Sequence, residues 1–197
     1  MVYRMKYKTI MERIKGILHV NKKWLKEGVI FDSLGGSIDL NNLESFSPPL
    51  GAIAASLSRI CRFRGVTPYT VAQHCVRGAD AFLAMGDLEK AHQFLFHDSV
   101  EYVVGDVPGP VIKMIPEIDE LQDKALKRLS EVFNFKFPFD PEVITMDKNL
   151  AEIEMSTYIH DPEEFTNSIW SNQESYLRFM EMHKTICKMQ DIKHMIK

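Results

Sequence analysis

The stretch A-H-Q-F-L-F-H-D-S-V-E-Y-V-V-G, residues 91–105, decides how this chain reads. Its middle, Phe94-Leu95-Phe96, is apolar at consecutive positions, which an amphipathic surface helix does not tolerate, so the helix holding it should run through a core. Asp87 is a good N-cap and Gly105 a good C-cap, which predicts one helix between them. Directly after the apolar triplet stand His97, Asp98 and Glu101. Burying such groups without partners costs several kcal/mol, so the fold must supply a compensating charge. His97 and Glu101 are four apart and share a helix face, while Asp98 lies about 100° round. An imidazole nitrogen and the adjacent carboxylate then meet one cation at the helix edge, with other helices completing the shell.

Working outward, Thr70 can cap a helix that carries His74 in its first turns, with Gln73 placed to reach back in a capping box. Leu50 opens a preceding helix whose apolar positions Ile53, Leu57, Ile60 and Cys61 carry it to about Gly65. Gly105-Asp-Val-Pro-Gly-Pro110 reads as a rigid loop. Further helices fit Ile118 to Val132, Pro141 to Tyr158 behind an Asp140 cap, and Glu174 to Met195. Residues 28–48 differ, with a β-branched run, a Gly35-Gly36 turn and a second run from Ser37 to Leu40 that suggest a hairpin. The expectation is one all-α helical bundle over residues 28–197 with a small hairpin-like addition, preceded by a basic arm, residues 1–27, that forms a helix on Ile10, Ile14, Ile17 and Leu18.

Asp147 is flanked at helical spacing by Val143, Ile144, Leu150 and Ala151, so it points from an apolar stripe toward the core. His74, His97, Asp98 and Asp147 together make a mixed nitrogen and oxygen donor set suited to one divalent ion, whether Mn, Fe, Co, Ni, Zn or Mg.

The order His74, His97-Asp98, Asp147 resembles the H…HD…D signature of the HD-domain metal-dependent phosphohydrolases, an all-α superfamily. The blocks S-R-I-C-R-F (58–63), Y-T-V-A-Q-H (69–74), H-D-S-V-E-Y-V-V-G-D-V-P-G-P (97–110) and D-K-N-L-A-E-I-E (147–154) resemble the branch that includes the 5′-deoxynucleotidases. The resemblance covers roughly residues 28–160. It implies that Glu101 holds or protonates groups beside the metal and that Asp106 orients the attacking water or the leaving oxygen. It also implies that Arg62, beside Phe63, binds phosphate, with Arg59 and Arg64 as neighbouring candidates. Gly109 and Lys113 depart from the family, which more often has a basic or hydroxyl residue between the prolines and a lysine nearer to Pro110. Residues 99–146 contain no histidine, so the two extra ligands of the two-metal phosphodiesterases are missing and a single ion is expected.

The resemblance makes the chain a hydrolase of (deoxy)nucleoside 5′-monophosphates first, with triphosphate removal from deoxynucleoside triphosphates second. Alarmone hydrolysis ranks third, because Tyr102 stands where those enzymes carry a second acidic residue. A non-catalytic nucleotide- or metal-binding module is the remaining alternative. A homodimer is also implied, for which the Met-rich C-terminal helix (Met180, Met182, Met189, Met195) offers a contact.

Composition sets the outer limits. The 197 residues are 45% apolar and 26% charged, which excludes a fibrous or low-complexity chain. No apolar run approaches the ~18 residues of a membrane span, and the N-terminus lacks a signal-peptide pattern. Cys61, Cys75 and Cys187 form neither a closed disulfide set nor a C-x-x-C pair, which points to a reducing, cytoplasmic setting. Residues 1–26 hold eight Lys/Arg against Glu12 alone, a net +7, and the rest hold 16 against 26 Asp/Glu, a net −10. The arm has few aromatics (Tyr3, Tyr7, Trp24), so nucleic acid is not the expected partner. An acidic body that binds a phosphate needs a metal or an arginine to do so.

Overall fold

In the hairpin the Asp32 carboxylate ties its own turn, with Oδ1 accepting from the backbone N–H of Leu34 (2.8 Å) and Gly36 (2.7 Å). Gly35 takes the left-handed position of the turn at φ +85°, where a side chain would be strained. Strands β1 (Val29–Phe31) and β2 (Ser37–Asp39) pair antiparallel with Ile30 opposite Ile38. Ile38 is buried, as are Leu43 and Phe46 in and after the 3-10 turn Leu40–Ser45 that follows. Three apolar side chains thus anchor the addition to the helices. The computed structural model describes residues 28–32 and 34–195. The expected arm helix lies outside them.

Helix α1 (Leu50–Leu57) buries Ala52, Ile53, Ala54, Ala55 and Leu57 and stops well before Gly65. Ser58 competes with the helix, its hydroxyl donating to the Ala55 carbonyl at 3.1 Å. Ile60 and Cys61, which fit a helical period, instead run extended beside Tyr69 and Thr70. Arg62 N–H donates to the Tyr69 carbonyl and Val71 N–H to the Ile60 carbonyl. The chain then reverses through Phe63, Arg64 and Gly65 at φ of +57°, +58° and +75°, three left-handed residues in succession.

Helix α2 (Val71–Ala84) starts as expected, with Thr70 Oγ1 accepting from Gln73 N–H at 3.1 Å. The Gln73 side chain does not close the box. Its amide donates to the Ser168 carbonyl and accepts from Trp170 N–H, tying α2 to the C-terminal part of the chain. Helix α3 (Leu88–Phe96) packs on α2 so closely that a Cβ on Gly78 would lie 2.1 Å from the Phe94 ring. Asp87 caps α3 as predicted, at Lys90 N–H.

The predicted continuous helix to residue 104 is broken. Nδ1 of His97 lies 2.7 Å from the Phe94 carbonyl, the group that the next α-helical N–H would have used. Beyond Phe96 the bonds therefore tighten to i→i−3 type, Ser99 to Phe96, Glu101 to Asp98 and Tyr102 to Ser99, before the short helix α4 (Glu101–Val104) ends at Gly105, φ +76°. Helix α5 (Gly109–Met114) begins inside what reads as a rigid loop, since Pro110 can occupy a first-turn position.

Helices α6 (Pro116–Phe133), α7 (Pro141–His160), α8 (Pro162–Asn167) and α9 (Asn172–Met195) complete the chain. Asp140 caps α7 through Glu142 N–H at 3.0 Å, with Pro141 at its start as expected. Helix α9 packs across α1, α2 and α3, and α7 lies against α2 and α3. One buried cluster joins Ile38 and Leu43, through Phe94–Phe96, to Phe179 and Ile186 on α9. The architecture is all-α with a two-stranded hairpin, as the sequence predicts. Among the described residues no helix is long and apolar enough to cross a membrane.

Candidate metal centre

The break after Phe96 places the His-Asp pair. His97 follows the last residue of α3 and Asp98 stands in the tight turn beyond it, facing His74 near the start of α2 and Asp147 in the first half of α7. One ligand atom from each of the four lies within 4.8 Å of every other. Three separate segments, with His74 and Asp147 73 residues apart in the chain, thus deliver the donor set that the sequence singles out.

Each histidine is held by one ring nitrogen so that the other faces the carboxylates. Nδ1 of His74 is 2.8 Å from Glu154 Oε1, and its Nε2 is 3.0 Å from Asp147 Oδ1. Nδ1 of His97 donates to the Phe94 carbonyl, and its buried Nε2 stands 3.2 Å from Asp98 Oδ2 and 3.5 Å from Asp147 Oδ1. A proton on Nδ1, which the Phe94 carbonyl calls for at His97 and the Glu154 carboxylate can accept at His74, leaves a lone pair on Nε2, the arrangement by which metal-binding histidines are oriented. Nε2 of His97 has no hydrogen bond of good geometry. Two imidazole nitrogens and two carboxylates converging on one point fit a divalent ion.

The electrostatics of the cluster favour a positive charge at its centre. Burial opposes charging His97, yet Asp98, Asp147 and Cys75 hold its pKa well above the usual histidine value. Burial would raise the carboxyl of Asp147, but its contacts with the His74 and His97 rings keep it well below the usual range. Asp98 is likewise lowered against its burial, by His97, Arg62 and His74. Glu101 behaves in the opposite way. Burial first, then the negative charges of Asp98 and Asp106, push its pKa up to about 9. Near neutral pH it is a carboxylic acid with a proton to give.

Arg62 lies within this cluster. Its Nη1 is 3.2 Å from Asp98 Oδ2, Nη2 is 3.7 Å from Asp147 Oδ1 and Nε is 3.0 Å from Glu154 Oε2. Its guanidinium also lies 5.3 Å from the centre of the Phe63 ring. The neighbouring candidates stand apart from the four ligands. Arg59 is exposed just beyond α1 and donates to the Ala55 carbonyl of that helix, Arg64 is exposed at the reversal, and Lys113 is exposed on α5. Asp106 is drawn to the reversal, accepting from Arg64 N–H at 3.1 Å.

Glu154 is the site residue that sequence reasoning missed. It is 6% exposed and joins His74 to Arg62. The signal was there, since Glu154 follows Asp147 by seven residues, two helical turns, and so lies on the same face of α7.

No family profile matches the chain. Over 120 residues it is 31% identical to the uncharacterized protein YfdR of Escherichia coli (strain K12), an alignment covering 60% of this chain. The chain spans 63% of that relative's length.

Proposed function

We propose that the chain is a metal-dependent phosphohydrolase of the HD type that releases phosphate from (deoxy)nucleoside 5′-monophosphates. The observation that carries the reading is the convergence of two histidines, each anchored through Nδ1, with Asp98 and Asp147 around one point, beside the guanidinium of Arg62. His74, His97, Asp98 and Asp147 would hold the ion. Such an ion supplies Lewis-acid polarisation of a phosphoryl oxygen and a water nucleophile at neutral pH.

The chain's own groups divide the remaining work. The centre without Arg62 is rich in carboxylates, and a phosphate dianion entering it needs the Nη1 and Nη2 donors that Arg62 turns toward Asp98 and Asp147. Glu101, kept protonated by burial, is suited to donate to the leaving oxygen. Asp106 carries the charge that helps keep that proton in place, and it fixes the reversal that follows Arg62. Cys61, Cys75 and Cys187 are free thiols, in keeping with a reducing cytoplasmic setting.

The test is phosphate release by the full chain over nucleoside mono-, di- and triphosphates with Mn²⁺, Co²⁺, Ni²⁺, Zn²⁺ and Mg²⁺ in turn. Nucleoside plus orthophosphate is the expected product pair. Nucleoside plus inorganic triphosphate would move the substrate to triphosphates, pyrophosphate release from an alarmone would move it there, and metal retention without any product would leave a binding module.

A further inference from the structure

Among the described residues buried around the centre, Glu154 touches both a proposed metal ligand and the proposed phosphate anchor, through different oxygens. Oε1 is 2.8 Å from His74 Nδ1 and Oε2 is 3.0 Å from Arg62 Nε. The two contacts make different demands. His74 could place its proton on Nε2 instead, where Asp147 Oδ1 waits at 3.0 Å, and the lone pair needed by an ion would then be lost. An acceptor at Nδ1 prevents this, whether or not it is charged. Arg62 has carboxylates on both terminal nitrogens, so an anion behind Nε is what keeps the guanidinium oriented when those nitrogens are asked to take a substrate oxygen instead.

We infer that Glu154 is a positioning residue with two separable duties, fixing the His74 tautomer for metal binding and holding Arg62 for phosphate binding. The inference rests on the metal-centre reading above. Glutamine at 154 is isosteric and keeps a carbonyl acceptor for His74, but faces Arg62 with an amide and no charge. Alanine removes both contacts.

Three measurements on the full chain separate the duties: ¹⁵N imidazole shifts of His74 without added metal, Mn²⁺ affinity by calorimetry, and inorganic phosphate affinity of the Mn²⁺-loaded protein. Glu154→Gln is expected to keep the Nδ1–H tautomer and hold Mn²⁺ affinity within about threefold, while phosphate affinity falls about tenfold. Glu154→Ala is expected to shift the tautomer toward Nε2–H and to lower Mn²⁺ affinity by about 10–100-fold, the usual cost of losing a residue that orients a metal ligand. Wild-type phosphate affinity in Glu154→Gln, an unshifted tautomer in Glu154→Ala, or equal loss of both ligands in the two variants would overturn the inference. A wild-type chain that takes no Mn²⁺ but shows the His74 tautomer shifting in Glu154→Ala would sink the metal-centre reading and the second duty, and keep the first.

Discussion

The carboxylate of Asp106 accepts a hydrogen bond from the backbone N–H of Arg64 at 3.1 Å, bridging two loops that are 42 residues apart. Arg64 is the middle of three left-handed residues, so this bond holds a backbone conformation that side chains disfavour. Asp106→Ala should cost about 0.5–1.5 kcal/mol in chemical denaturation. Asp106→Asn keeps an acceptor and should recover most of it. Because the Asp106 charge is one cause of the high pKa of Glu101, Asp106→Asn should also lower that pKa, which ¹³C NMR of the Glu101 carboxyl reads directly.

Glu101 makes stability depend on pH in a definite direction. Its carboxyl ionises near 4.5 when unfolded and at about 9 when folded, so the favourable contribution is complete below pH 4.5 and is lost as pH rises toward 9. Glu101→Gln, always neutral, should be more stable than wild type at pH 8 and show a flatter profile of melting temperature from pH 5 to 9. If Glu101 is the proton donor, the same variant should keep Mn²⁺ and lose about 10²–10⁴-fold in turnover.

His92 works in acid. Burial, then neighbouring His183, push its pKa down to about 4, below the unfolded value of 6.5. The unfolded chain therefore binds the extra proton first, and stability falls as pH drops from 6.5 toward 4, with no further loss from this group below that. His92→Phe should remove that slope, measured as the midpoint of urea unfolding against pH.

Metal loading should be visible as stability. If the four-residue centre binds Mn²⁺ in the folded state alone, free ion at 100 times its dissociation constant adds about 2.7 kcal/mol. A chelator should reverse the gain, and Asp98→Asn should abolish it together with activity.

The contact of α2 with α3 leaves no room at Gly78, where a Cβ would stand 2.1 Å from a buried ring. Gly78→Ala should cost about 1–3 kcal/mol despite the better helix propensity of alanine, because Phe94 cannot move without disturbing the core. A denaturation midpoint close to wild type would contradict this.

The elements most legible in the sequence are those set by local chemistry. Thr70, Asp87 and Asp140 each cap the helix they announce, and the Gly35-Gly36 turn joins the two strands expected around it. The four proposed ligands are legible too, since polar groups amid apolar helical positions have few reasons to be there. What a one-dimensional pattern could not reveal is competition for a backbone group. Ile60 and Cys61 keep a helical period but lie in an extended segment, because Ser58 and the partner strand at Tyr69–Val71 take over their surroundings. The His97 ring claims the Phe94 carbonyl and ends α3 early, which no periodicity records. Arg62 reads as a free cation near a phosphate, yet three carboxylates from α7 and the turn after α3 surround it. Only the tertiary packing brings them there.

Exposure across the centre is graded, from His74 at 0% through His97 at 8% and Asp98 at 19% to Asp147 at 34%. His74 is thus the deepest member of the cluster, and Asp147, on α7, is the one solvent reaches most freely. If the cluster binds an ion, solvent would reach that ion over Asp147 rather than over His74, so a change to the Asp147 side chain should alter the rate of ion exchange.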